Sequence, residues 1–186
     1  DCNLCGTVLS GIDFTTCDIG GWLLGGGELR GAVVTPFQAA ELARLGFASA
    51  TASFESRLAQ IRDLSKPLDL ELLVYGRLPL MLMEHCILRN RGQGCHCQDK
   101  PQSLGDRKGE HFPVESAWGC RNELFNAKPL WLADKTDWRT AGAAYARLAF
   151  LREGPGECAR VFRAYREGAG EPPRAFTRGL YYRGVE

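Results

Sequence analysis

Between residues 32 and 75 the chain alternates short apolar runs with stretches whose apolar positions recur every three or four residues, and this alternation predicts a βαβαβ order. Residues 32–34 read as a strand. Thr35 then supplies an N-cap and Pro36 the first helical residue, and Phe37, Ala40 and Leu45 follow at helical spacing up to Gly46. Ser49–Ala52 predicts the next strand, and Ser53 caps a second helix with Phe54, Leu58, Ile61 and Leu64 on one face. Residues 70–75 are almost wholly apolar, as in a parallel strand buried on both faces. From Gly76 to Gly119 the rhythm breaks into turn residues, scattered charge and three cysteines, which predicts a long functional loop or a small inserted lobe. The pattern then resumes with strands at 123–125 and 130–132, a short helix at 134–141 and an apolar strand at 145–151. A helix at 157–167 follows, with Val161, Phe162 and Tyr165 on its apolar face and Arg160, Arg163 and Arg166 opposite.

About five strands and four helices fall short of the eight βα units of a closed barrel. The expected fold class is therefore α/β: a partial, incomplete (β/α) barrel-like domain over residues 30–167 with an inserted cysteine-rich loop at 76–120. A Gly/Cys-rich segment at 1–29 precedes it and an extended tail at 168–186 closes it. A length of 186 residues, 45% hydrophobic and 24% charged, is ordinary globular usage, and it excludes a disordered or collagen-like chain. No uncharged apolar run reaches the length needed to cross a bilayer, so no membrane partner is expected. The net charge is +1, but residues 1–80 carry 6 basic and 9 acidic groups while residues 81–186 carry 17 and 13, so an anionic ligand is expected to favour the second half.

Eight cysteines stand at positions 2, 5, 17, 86, 95, 97, 120 and 158. No signal-peptide pattern precedes them, which makes the cytoplasm the expected compartment and grouped thiols more a sign of metal binding or catalysis than of disulfides. Cys86, Cys95, Cys97 and Cys120 form the informative group. Four soft, anionic thiolates suffice for a cubane (4Fe-4S) iron–sulfur cluster, with structural zinc as the alternative on the same sulfurs. Because Cys95 and Cys97 are nearly adjacent, His96 or a cysteine of the other group is an alternative ligand to one of them. Cys2 and Cys5 make a Cys-x2-Cys pair that with Cys17 amounts to part of a metal site lacking a fourth partner. Cys158 reads as packing on a helix.

The run Val74-Tyr75-Gly76-Arg77-Leu78-Pro79-Leu80-Met81, followed by Cys86 and then by Gly105-Asp106-Arg107-Lys108-Gly109-Glu110-His111-Phe112-Pro113-Val114, resembles the proteins of peptidase family U32. Cys120-Arg121-Asn122-Glu123-Leu124, Asn126-Ala127-Lys128-Pro129-Leu130 and the closing Arg178-Gly179-Leu180-Tyr181-Tyr182-Arg183-Gly184 extend the resemblance, which is closest to the C-terminal portion of long bacterial members. The family resemblance implies a barrel-like fold and a collagenase-type peptidase activity. It also implies kinship with oxygen-independent hydroxylation proteins that act on RNA or on a small aromatic ring and hold a cubane cluster on four cysteines. Cys86 matches a family ligand. The family's longer cysteine motif with His-Gly-Ala and Ser-Gly is absent.

Arg77 and Arg121 flank the cysteine region and offer bidentate contacts to a carboxylate or phosphate, and Asp106 beside Arg107 offers a substrate-orienting acid; the bland alternatives are local ion pairs and a charged turn. Glu55, at a strand-to-helix junction, reads as a helix-stabilising acid. Three functions follow as expectations: an iron–sulfur hydroxylase component, a collagenase-like peptidase, and a non-catalytic metal-stabilised accessory module. The expected partners are the remainder of a longer parent chain or a partner subunit, and RNA.

Overall fold

The computed structural model describes residues 2–7, 9, 12–14, 16–24, 33–44, 46, 48–65, 69–89, 101–117 and 120–183. They form two small sheets. The first joins β1 (Val33–Val34), β2 (Ser49–Ala52) and β3 (Asp69–Gly76) in parallel. Helices α1 (Pro36–Arg44) and α2 (Leu58–Leu64) make the crossovers between these strands. The second is an antiparallel sheet in the order β4-β7-β6-β5, from β4 (Pro79–Met83), β5 (Gln102–Gly105), β6 (His111–Ala117) and β7 (Arg121–Phe125).

The expected barrel does not form. In the first sheet β8 (Leu130–Trp131) pairs antiparallel with the end of β3 beyond the point where β2 stops, and β9 (Tyr145–Ala149) pairs parallel with β3. With β1 only two residues long and one strand reversed, no ring of parallel strands closes among the described residues. Of the two readings of residues 76–119, a long loop or a small inserted lobe, the described residues carry an antiparallel sheet: the apolar Pro79–Met83 run and the alternating His111–Ala117 run pair with β7 rather than extending a βα rhythm.

Local chemistry sets the helix boundaries. At α1, Thr35 Oγ1 accepts the Gln38 N–H (3.3 Å) and Gln38 Oε1 accepts the Thr35 N–H (2.8 Å), a reciprocal cap. Phe37, expected inward, is exposed, because Gln38 and Leu42 are the residues that face in. The second helix begins at Leu58 and not at Ser53, whose hydroxyl and carbonyl are used in a local turn with the N–H groups of Glu55 and Ser56. Helix α3 (Asp137–Thr140) is shorter than expected. In α4 (Pro155–Glu167), Val161, Ala164 and Tyr165 are buried while Phe162 is exposed.

The core gathers around β3 and β8, with Leu58 and Ile61 of α2, Val161 and Tyr165 of α4, and Phe14 and Ile19 of the N-terminal segment. Two buried tyrosines tie it together. Tyr165 donates its hydroxyl to the Val74 carbonyl and accepts the Leu132 N–H (2.7 Å), and Tyr181 of the tail donates to the Leu73 carbonyl (2.7 Å). Burial raises both phenolic pKa values, so both stay neutral donors. Among the described residues no helix is long and apolar enough to cross a membrane.

Candidate metal centre

The β4–β7 register decides where the cysteines lie. Met83 faces Asn122, and one step further Glu84 Oε2 takes the Arg121 Nε–H at 2.9 Å, holding the two strand ends together. Cys86 lies just beyond β4 and Cys120 just before β7, so both flank the same end of the same strand pair. The link is made through Asn122. Its side chain is fully buried, its Oδ1 accepts the Ile87 N–H at 2.8 Å, and its Nδ2 donates to the Arg121 carbonyl at 3.1 Å. The backbone next to Cys86 is thereby fixed to β7. Cys120 takes a left-handed φ of 59°, uncommon for any residue with a β-carbon. Both thiols are free, Cys86 half-buried and Cys120 exposed.

Cys95, Cys97 and His96 lie outside the described residues. The described residues stop near this end at Arg89 and resume at Pro101, ahead of β5 on the sheet edge away from β4, where Gln102 stands opposite Val114. Among the described residues no three His, Cys, Asp or Glu side chains converge as a metal site. What is present is two free thiols, Cys86 and Cys120, flanking one end of the β4–β7 pair.

The other expected site residues are engaged by the protein itself. Arg77 is half-buried, and its Nη1 donates to the carbonyls of Asn126 (2.9 Å) and Ala127, pinning the β3–β4 junction to the β7–β8 turn. Asp106 Oδ1 accepts the N–H groups of Lys108 (2.7 Å) and Glu110 (2.9 Å), closing the β5–β6 hairpin. Both sit toward the end of the second sheet opposite Cys86 and Cys120, beyond the far end of β7 or of β5. Arg121 is at the cysteine end, in its pair with Glu84. Glu55 is exposed beyond β2.

Four residues outside the sequence-based candidates shape this region. Asn122 carries the signal that a polar side chain sits mid-strand beside a cysteine. Glu123 has its carboxyl pushed up by burial, opposite Glu115 on β6. Glu115 pairs with Arg152 (2.5 Å), which also donates to the carbonyls of Gln102 (2.7 Å) and Val114 (3.0 Å) and so ties the β9–α4 connection to the second sheet.

A separate open cleft of about 560 Å³ lies between residues 16–20 and the start of α1, with Cys17, Asp18, Thr35 and Glu41 in its wall. Compared with known proteins, the chain matches no family model, no curated protein and no solved structure.

Proposed function

We propose that the chain is an iron–sulfur-binding portion of a protein of the peptidase U32 kind, working in oxygen-independent hydroxylation of RNA or of a small aromatic substrate. One observation carries the reading: Cys86 and Cys120, far apart in sequence, flank one end of a single strand pair as free thiols, with Asn122 fixing the turn that bears Cys86. Cys95 and Cys97 are the further ligands, on the connection that leaves Arg89 near that end and leads to Pro101, ahead of β5 on the other edge of the sheet. Thiolates suit iron as soft, anionic donors, and a bound cluster supplies one-electron chemistry. The more basic second half of the chain, in which all four cysteines fall, favours an anionic substrate such as RNA.

A second reading has its own support. Arg77, Asp106 and Arg121 are all held by neighbouring protein groups, which favours a metal-stabilised accessory module with zinc on the same sulfurs and no substrate-binding role for those side chains. Anaerobic purification followed by iron, zinc and acid-labile sulfide analysis separates the two. Iron and sulfide in equal amounts, with an electron paramagnetic resonance signal on reduction, is the expected result. Zinc without iron selects the accessory module, and gelatin cleavage that survives loss of all four cysteines selects a peptidase independent of any cluster.

A further inference from the structure

Two turns of the N-terminal segment are built alike. In the first, Asn3 Oδ1 accepts the Cys5 N–H (3.1 Å), the Leu4 carbonyl accepts the Thr7 N–H (3.1 Å), and Gly6 takes a left-handed φ of 78°. In the second, Asp18 Oδ1 accepts the Gly20 N–H (2.9 Å), the Ile19 carbonyl accepts the Trp22 N–H (3.3 Å), and Gly21 takes a φ of 73°. Laid on one another, Cys2-Asn3-Leu4-Cys5-Gly6 and Cys17-Asp18-Ile19-Gly20-Gly21 share the leading thiol, the side-chain turn, the apolar residue and the closing left-handed glycine. Only the fourth place differs, Cys5 against Gly20. The two turns are joined directly, Leu4 N–H to the Leu23 carbonyl and Leu23 N–H to the Cys2 carbonyl, both at 2.9 Å.

Their surroundings differ. The second turn is docked on α1: Gln38 Nε2 donates to the carbonyls of Phe14 and Cys17, both at 2.6 Å, and Cys17 lines the cleft against that helix. Cys2, Cys5 and Cys17 are all exposed, free thiols, but only Cys2 and Cys5 share one turn. A tight turn with cysteine at its first and fourth places is the usual zinc-binding spacing, and a structural zinc takes four donors. Among the described residues no third metal-binding side chain joins this pair. A second copy of the chain offers the identical pair, and a twofold contact of that kind is self-complementary.

We propose that Cys2 and Cys5 form a zinc half-site, and that two copies of the chain close one tetrahedral four-thiolate centre between them. Four thiols give up four protons to solvent as the sulfurs bind, so the linkage weakens at acid pH. The centre is independent of the Cys86 end of the second sheet.

The test is a zinc titration of the intact, reduced and metal-stripped chain, with molar mass followed by light scattering. A Cys2→Ser/Cys5→Ser variant and a Cys17→Ser variant run beside it. The expected result is a doubling of mass that reverses with chelator and is complete when the intact chain holds roughly half an equivalent more zinc than the double variant. The double variant keeps its far-ultraviolet circular dichroism and stays at single mass, and Cys17→Ser behaves as the intact chain does. Cobalt in place of zinc gives the visible bands of a tetrahedral thiolate site, lost in the double variant. The proposal is overturned by a full equivalent of zinc per chain without a change in mass, by a zinc-linked dimer that survives in the double variant, by loss of zinc in Cys17→Ser, or by no difference in zinc between the intact chain and the double variant.

Discussion

β3 and β4 follow one another in the chain and are both written in apolar residues, yet they live in opposite conditions. On β3, Leu72 and Val74 are 0% exposed and Tyr75 1%; on β4, Leu80, Met81 and Leu82 are each at least 50% exposed. β3 is central, flanked by β2, β8 and β9, whereas β4 is the edge of a small sheet that pairs on one side with β7. An apolar run thus reports burial only once its neighbours are known. In this molecule the first sheet holds most of the buried core, and the second has Cys86 and Cys120 flanking one of its ends.

The largest expected contrast between the two regions is in stability. Trp131→Ala removes a fully buried ring that meets Tyr75 and Tyr165 edge-on, and is expected to cost about 3–5 kcal/mol in denaturant unfolding. Leu82→Ala on the exposed strand is expected to cost within about 0.5 kcal/mol. Equal losses at the two positions would remove the distinction.

Asn122→Ala sharpens the contrast within the second sheet. It leaves the Ile87 N–H without its partner, at an expected cost of about 1–3 kcal/mol, and frees the turn that bears Cys86. Alkylation of Cys86 is expected to quicken several-fold while that of Cys158 stays unchanged. Unchanged labelling of Cys86 would show that Asn122 does not hold it.

How much of this could be read in advance differs between the sheets for the same reason. Ser49–Ala52 and the strand through residues 70–75 were legible because local periodicity and burial agree there. In the second sheet the strand at 123–125 was legible and is part of β7, but the pairing was not, because the strands pair across turns and a long connection, and nothing local in Pro79-Leu80-Met81-Leu82-Met83 says that its partner is β7. The grouping of Cys86 with Cys120 was legible as composition, but the pairing that brings them to one sheet end is a matter of register. Arg77 and Asp106 show the converse. Their residue types suit ligand binding, yet carbonyls and amides that only the folded chain assembles take them up first.

The smallest expected effects are electrostatic, and they have opposite signs in the two regions. Beside the first sheet, hydrogen bonds from the Arg178 guanidinium hold the Asp134 carboxyl below its ordinary value. Its stabilisation is therefore present at neutral pH and lost as pH falls through that lowered value. Asp134→Asn is expected to cost about 0.5 kcal/mol at neutral pH, solvent screening included, with the difference closing in acid. In the second sheet burial raises the Glu123 carboxyl, so the charged form is the disfavoured one. Glu123→Gln is expected to be the more stable chain at neutral pH, and its advantage shrinks as pH falls through the raised value toward the ordinary carboxylate range. Urea unfolding across pH reads both, and curves of the same sign would contradict the assignment.

The most direct test of the account is the iron content of Cys86→Ser and Cys120→Ser, each purified anaerobically beside the intact chain. If one centre joins the facing ends of β4 and β7, either substitution alone strips iron and sulfide to the same low level, and the double variant falls no further. Full iron in either single variant, or losses that add between them, would contradict a shared site.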